Sequence, residues 1–187
     1  MHAAGFVLAG GKSSRMGTDK ARLRLGTRMI IEEIAEKVAA VAGNVALVGS
    51  PEKYADLPFE RLPDLRPGLG PLSGIESALA SGRGEWNLIA GCDMPGLQET
   101  WLRGLAERAI ATGARCVVIA ERSGRVHPLC AVYRSSALPA VRAALDGGRL
   151  RMMDLLGELE AEFLEIDGAV ANVNRPEEWE AFATETT

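Results

Sequence analysis

The sequence predicts an α/β protein, with residues 1–187 forming a single three-layer αβα domain around a mostly parallel, Rossmann-like sheet. Two observations favour this class. Short apolar runs alternate with amphipathic helical patterns through the first half of the chain, which is typical of parallel strands joined by helices. Several of these runs also end in loops rich in glycine and charged residues, and α/β sheets carry their functional loops at that position.

The predicted elements follow from hydrophobic periodicity. An apolar run predicts a first strand at residues 6–9, and apolar residues three and four apart from Ile30 to Val41 predict a helix that ends at Gly43. The run at 86–90 is apolar except for Asn87, so we expect it to be buried on both faces. Further strands are predicted at 44–48, 59–62, 116–120, 127–133 and 163–166, and further helices at 72–81, 98–111, 136–145, 151–159 and from Pro176.

The composition is that of an ordinary globular protein, with 47% hydrophobic and 25% charged residues. The net charge of -4 and the pI of about 5.3 argue against a general binder of nucleic acid or of membrane surfaces, which would be basic. Cys92, Cys116 and Cys130 form no C-x-x-C pair, so reduced thiols are expected. No signal peptide or membrane-spanning run is recognisable, and we expect a cytoplasmic protein and a monomer.

The loop after the first strand favours phosphate binding. It contains two adjacent glycines and three basic residues: Gly10, Gly11, Lys12, Arg15 and Lys20. The glycines allow a turn that brings backbone N–H groups close to an anion, and the cations add charge. The loop is neither G-x-x-x-x-G-K-[ST], which would need glycine at position 6, nor G-x-G-x-x-G, since its glycines are adjacent. A tight turn with solvated charges is the alternative.

Two more loops, at residues 64–71 and 91–95, also follow predicted parallel strands. Because the carboxyl ends of such strands meet at one edge of a sheet, all three loops should converge. Asp93 suits magnesium, which takes one or two carboxylates together with phosphate oxygens, although a turn-forming or capping role is the alternative. Asp64 has three open roles, namely binding a base N–H, binding a ribose hydroxyl, or capping the turn.

A cleft that holds a triphosphate, Mg²⁺ and cationic side chains suits phosphoryl or nucleotidyl transfer, in which the protein mainly positions groups and stabilises charge. No Ser-His-Asp arrangement is readable in the sequence. His127, which precedes Pro128 at the start of a predicted strand, either bonds a phosphate or fills a polar niche.

The opening stretch resembles the signature of nucleotidyltransferases with the glycosyltransferase-A-like fold: Leu8-Ala9-Gly10-Gly11-x-Ser13-x-Arg15-Met16-Gly17-x-Asp19-Lys20. Four further motifs follow in order: Asp64-x-x-Pro67-Gly68-x-Gly70-Pro71-Leu72-x-Gly74-Ile75, Cys92-Asp93-Met94-Pro95, His127-Pro128-Leu129 and Asn172-Val173-Asn174-x-Pro176-Glu177-Glu178. Together they cover nearly the whole chain, which is similar to the molybdenum cofactor guanylyltransferases, the MobA family.

The resemblance implies that the terminal phosphate of molybdopterin attacks the α-phosphorus of GTP, so that pyrophosphate leaves and a guanine dinucleotide forms. It implies that residues 1–95 bind the nucleotide and residues 96–180 the acceptor. The implied nucleotide contacts are Leu8, Ala9, Gly10, Gly11, Lys20, Asp64 and Asp93. The implied catalytic residues are Arg15, Lys20 and Asp93, with Asp93 as the Mg²⁺ ligand.

For the acceptor, the resemblance implies His127, Asn172 and Asn174, although both asparagines could equally be turn formers before Pro176. Transient contacts with other proteins of cofactor assembly are also implied. For the base, Gly10 leaves more room than the alanine that cytidylyltransferases tend to carry there, which favours GTP. One departure is Val48, where some guanylyltransferases have asparagine. The alternatives are a molybdopterin cytidylyltransferase, another small nucleotidyltransferase, or a non-catalytic nucleotide-binding scaffold.

Overall fold

The computed structural model describes residues 2–10, 19–171, 178, 179 and 182. The strands are β1 (Ala3–Leu8), β2 (Arg24–Leu25), β3 (Arg28–Met29), β4 (Ala46–Gly49), β5 (Glu60–Pro63), β6 (Trp86–Gly91), β7 (Cys116–Glu121), β8 (Val126–Arg134) and β9 (Glu162–Ile166). The α-helices are α1 (Ile30–Ala42), α2 (Pro71–Ala80), α3 (Glu99–Thr112), α4 (Leu138–Asp146) and α5 (Met152–Glu158), with 3₁₀ turns at Lys20–Arg22 and Ser135–Ala137.

Seven of these strands form one sheet in the order β5-β4-β1-β6-β8-β7-β9. All neighbouring strands are parallel except that β8 runs antiparallel to both β6 and β7. The prediction of a mostly parallel sheet is therefore confirmed. As a result, β1, β4, β5 and β6 all end at the same edge, which is where the cleft described below opens.

The sheet is covered on both faces, as the three-layer prediction requires. Successive residues of β1 point to opposite sides, so that Val7 belongs to the core beneath α1 and α3 whereas Phe6 belongs to the core beneath α2, α4 and α5. In β6, Leu88 and Ile89 divide between the two cores in the same way. Burying each such side chain stabilises the fold by about 1.5–3 kcal/mol.

Helix α1 and the segment after it pack directly against β1 at Gly5, where no side chain intervenes. A Cβ atom on Gly5 would lie 2.4 Å from the carbonyl oxygen of Asn44 and 2.6 Å from Cγ1 of Val38. The Gly5 amide donates to Oδ1 of Asn44 at 3.2 Å, which joins the strand to the segment after the helix. The helix ends at Gly43 with φ of 80°, the left-handed conformation that glycine adopts without strain, so the predicted end is confirmed.

Some features were not predicted. The turn at Lys20–Arg22 and the β2–β3 hairpin are too short for a periodic pattern to reveal. The antiparallel direction of β8 was also not predicted, because an apolar run carries no information about strand direction. Of the predicted closing helix, residues 178, 179 and 182 are helical and the rest lies outside the described residues. No helix in the described part of the chain is long and apolar enough to cross a membrane.

Candidate active site

A cleft of about 510 Å³ opens at the carboxyl ends of β1, β4, β5 and β6. Residues from all three glycine-containing loops meet there, so these loops do converge. Its lining, among the described residues, is Leu8, Ala9, Gly10, Asp19, Lys20, Val48, Lys53, Tyr54, Asp64, Gly68, Gly70, Pro71, Gly74, Gly91, Cys92, Asp93 and Leu129. The cleft therefore contains six residues that the sequence marked as candidates: Leu8, Ala9, Gly10, Lys20, Asp64 and Asp93.

One end of the cleft is built around the carboxylate of Asp19. This carboxylate accepts from the backbone N–H of Ala21 at 3.2 Å and from the Tyr54 hydroxyl at 3.0 Å, and it pairs with Nζ of Lys53 at 3.1 Å. Burial raises the pKa of Tyr54 far above its usual value, so its hydroxyl remains a donor. Asp19 also caps the 3₁₀ turn that begins at Lys20, so the carboxylate fixes the turn that carries this lysine.

Asp93 lies at the floor of the same end, just beyond β6. Burial raises the pKa of its carboxyl group, while a backbone hydrogen bond and the charges of Lys20 and His127 act in the opposite direction. A nearby cation strongly stabilises the ionised form of a carboxyl group that is poorly solvated. Gly91 leaves space for it, because a Cβ atom there would lie 2.9 Å from Oδ1 of Asp93.

The other end of the cleft is uncharged except for Asp64. Oδ1 of Asp64 accepts from the Arg66 backbone N–H at 3.0 Å and also from the Ser73 hydroxyl. Its second oxygen, Oδ2, lies 4.0 Å from the place where a Cβ atom of Gly10 would stand. The loop thus uses one oxygen of Asp64, and the other faces the space that Gly10 leaves open.

The glycine loop between β5 and α2 is held by an ion-pair network. The buried carboxylate of Glu76 on α2 pairs with Nε of Arg66 at 2.9 Å and with Nε of Arg142 at 3.2 Å. Arg66 also pairs with Asp146 at the end of α4 at 2.5 Å. The network therefore anchors the uncharged end of the cleft to two helices.

His127 does not line the cleft. Its ring is only 3% exposed, and Nε2 lies 2.7 Å from Oε1 of Glu121. Burial acts to raise the pKa of Glu121, but hydrogen bonds from His127, the Val170 backbone N–H and Ser123 outweigh it and hold the pKa below its usual value. The structure therefore places His127 in a polar niche, and its acceptor-binding role stays a prediction.

Several candidate residues lie outside the described residues: Gly11, Lys12, Arg15, Asn172 and Asn174. Val48, where some relatives carry asparagine, does line the cleft. The neighbouring polar groups are already engaged, since the Gly49 carbonyl accepts from Asp64 N–H and the Ser50 hydroxyl donates to Glu52.

Sequence reasoning missed Lys53 and Tyr54, and it assigned no role to Asp19. The sequence does carry a signal for Lys53 and Tyr54, because both residues follow the strand β4 by only a few positions. The carboxyl end of that strand must reach the same edge as the other three. The pairing of Lys53 with Asp19, 34 residues away in the chain, has no local signal.

The MobA-like NTP transferase domain family matches residues 5–162. The molybdenum cofactor guanylyltransferase of Cereibacter sphaeroides is 34% identical, covering 95% of this chain and 94% of its relative. A probable molybdenum cofactor guanylyltransferase of Carboxydothermus hydrogenoformans is 36% identical, covering 91% and 85%.

Among solved structures, molybdopterin-guanine dinucleotide biosynthesis protein A from Archaeoglobus fulgidus superposes with a TM-score of 0.83 at 24% identity, covering 98% of this chain and 97% of that one. CMP:2-keto-3-deoxy-manno-octonic acid synthetase, complexed with CTP, superposes with a TM-score of 0.81 at 11% identity, covering 100% and 98%. These two likenesses concern the fold, and they confirm the nucleotidyltransferase architecture expected from the motifs.

Proposed function

Because this chain belongs to the MobA-like nucleotidyltransferase family, among relatives that are molybdenum cofactor guanylyltransferases, we propose that it transfers GMP from GTP to the terminal phosphate of molybdopterin. Pyrophosphate is released, and molybdopterin guanine dinucleotide is formed. The observation that carries the proposal is the polarity of the cleft. Lys20, Lys53, Asp19 and Asp93 gather at one end, and Asp64 is the charged lining residue that follows β5 on the other side of β1 and β4.

In this reaction an oxygen of the molybdopterin phosphate forms a bond to the α-phosphorus of GTP. The bond from that phosphorus to the bridging oxygen of pyrophosphate breaks, so negative charge accumulates on the leaving group. The ammonium of Lys20 stabilises this charge, and we assign the same role to Arg15. Losing one such preorganised contact typically raises the barrier by about 3 kcal/mol.

Asp93 is the residue we propose to hold Mg²⁺. The fit is chemical, since magnesium prefers carboxylate oxygen and commonly takes only one or two protein carboxylates. No group of three or more acidic, histidine or cysteine side chains that could hold a metal occurs in the described ranges, so phosphate oxygens and water would complete the coordination. When bound, the ion supplies positive charge that neutralises the phosphate oxygens.

For the base, we propose guanine at the uncharged end of the cleft, against Leu8, Ala9 and Gly10. The ring edge of guanine carries two adjacent donors, N1–H and the 2-amino group, and the free oxygen of Asp64 is an acceptor that faces this space. Gly10 is exposed and leaves room for a purine. We propose Gly11 as a further nucleotide contact, on the resemblance alone.

The acceptor side rests on the family resemblance. We propose that residues 96–180 bind molybdopterin, with Asn172, Asn174 and His127 as candidate contacts, and residues 1–95 bind GTP. We further propose that the protein acts as a monomer, with transient contacts to other proteins of cofactor assembly. All three cysteines are free thiols, which supports a cytoplasmic location.

A thermal-shift panel with Mg²⁺ and GTP, CTP or ATP tests the nucleotide. A ligand at about 100 times its dissociation constant stabilises the folded protein by about 2.7 kcal/mol. We expect GTP to give the largest shift. Selective stabilisation by CTP would instead indicate a cytidylyltransferase, and no response to any nucleotide would contradict the proposal.

Turnover with molybdopterin tests the reaction. We expect Asp93→Ala to abolish product formation and Lys20→Ala to weaken both GTP binding and the rate. The matched control is Asp154→Ala, which removes an exposed acid on α5 away from the cleft. Wild-type rates from purified, folded Asp93→Ala would overturn the assignment of this residue.

A further inference from the structure

Taking the proposed function as its basis, we propose that Lys53 binds the phosphate chain of the nucleotide and, during transfer, the departing pyrophosphate. The family motifs do not include this residue, and it comes from the connection between β4 and β5. The substrate class that it would recognise is a nucleoside triphosphate or its diphosphate leaving group, bound through charge.

Lys53 lies where it can reach a ligand in the cleft. Its side chain lines the cleft together with Lys20 and Asp93. Its Nζ atom lies 3.1 Å from Oδ2 of Asp19 and 5.2 Å from the centre of the Tyr54 ring. Since Asp19 also caps the turn that starts at Lys20, one carboxylate holds both lysines at the same end of the cleft.

The ion pair with Asp19 does not by itself explain why a lysine occupies position 53. Asp19 already accepts from the Tyr54 hydroxyl and from the Ala21 backbone N–H. The lysine side chain is 34% exposed, so its ammonium group is accessible to a ligand in the cleft. An ammonium group carries three N–H donors, so the pair with one carboxylate oxygen leaves donors for a ligand in the cleft. Asp19 therefore acts as the anchor that aims the ammonium.

The charges around Lys53 support the same conclusion. Lys20 and Lys53 are the two cationic side chains among the described residues that line the cleft. The opposite end, formed by Gly68, Gly70 and Gly74, holds no cation among its lining residues. Asp19 takes one donor of Lys53, and Asp93 is the proposed Mg²⁺ ligand, so the favourable orientation of a nucleotide places its phosphates toward Lys20 and Lys53.

The test compares three ligands on Lys53→Met, which keeps the length of the side chain and removes its charge. Isothermal titration in the presence of Mg²⁺ measures the affinity for GTP, GMP and inorganic pyrophosphate. We expect GTP and pyrophosphate to bind on the order of tenfold more weakly, the loss of one charge-assisted contact, while GMP changes on the order of twofold or less. Lys53→Arg should recover most of the affinity for GTP, because it restores the charge.

Lys37→Met is the matched control. Lys37 is also an ion-paired lysine of similar exposure, at 28%, but it pairs with Glu33 on α1 outside the cleft. The Lys37→Met protein should bind all three ligands as the wild type does. A thermal melt of Lys53→Met with the same midpoint as the wild type would show that the ion pair with Asp19 is not needed for folding. Equal weakening of GMP and GTP would overturn the inference in favour of a purely structural pair.

The titration with pyrophosphate separates this inference from the proposed function, because pyrophosphate binding requires only that the cleft accept a phosphate chain. If Lys53→Met binds pyrophosphate and GTP with wild-type affinity, the inference is wrong and the proposed function stands. If the wild type prefers CTP or shows no transfer to molybdopterin while Lys53→Met still loses pyrophosphate affinity, the proposed function fails and the role of Lys53 is supported.

Discussion

Gly91 tests whether the position of the Asp93 carboxylate governs catalysis. In Gly91→Ala the new Cβ atom would lie 2.9 Å from Oδ1 of Asp93, whereas ordinary contact begins at 3.4 Å, so the carboxylate must move by about 0.5 Å. The other neighbours, Leu129 and Met94, lie at 3.4 and 3.5 Å and tolerate the methyl group. Gly91 is not among the residues with positive φ, so alanine fits the backbone.

Displacing a catalytic group by this amount should lower kcat by about tenfold to a hundredfold, since misplacement by about 1 Å costs about a hundredfold. The corresponding rise in the barrier is about 1.4–2.7 kcal/mol. We also expect a higher Mg²⁺ concentration for half-maximal rate, because the displaced oxygen is the proposed ligand of the ion.

The assay is steady-state GMP transfer to molybdopterin across a Mg²⁺ titration, together with a thermal melt of each variant. Gly157→Ala is the control, because a Cβ atom on Gly157 in α5 meets no atom of the described residues within 4 Å. A folded Gly91→Ala enzyme with wild-type kcat and wild-type Mg²⁺ dependence would refute the reasoning.

Three further outcomes are expected. In Gly10→Ala, the new methyl group enters the proposed base pocket and meets no atom of the described residues closer than 3.9 Å. The melting temperature should therefore stay constant while KM for GTP rises about tenfold, and an unchanged KM would exclude this base site. In Gly5→Ala, the methyl group collides with Asn44 and Val38, so urea unfolding should show a loss of about 1–3 kcal/mol, and a wild-type midpoint would contradict the packing. The pKa of Glu121 is lowered in the folded protein from the ordinary carboxyl value of 4.5, so the ionised side chain stabilises the fold above pH 4.5, and this stability is lost as the pH falls through the lowered pKa. In urea unfolding, Glu121→Gln should therefore lose less stability than the wild type below about pH 4.5. Parallel pH profiles of the two proteins would refute the linkage.

Much of the fold was readable because its rules are local. The helical spacing from Ile30 onward and the glycine at position 43 predicted α1 and its end, since both depend on residues within a few turns of one another. The apolar run with Asn87 predicted a strand buried on both faces, and β6 is buried along its whole length. Asp64 and Asp93 could be placed in one cleft because parallel strands bring their carboxyl ends to a shared edge.

By itself, therefore, the sequence determined the α/β class, most of the elements, the family, and the strand ends from which the cleft is built. Only the tertiary structure decided the direction of β8, the pairing of Lys53 with Asp19, and the contact of Glu121 with both His127 and Val170. These contacts join segments that are up to 49 residues apart in the chain. Each depends on how the whole sheet and its helices pack, and no local pattern of residue types encodes that packing.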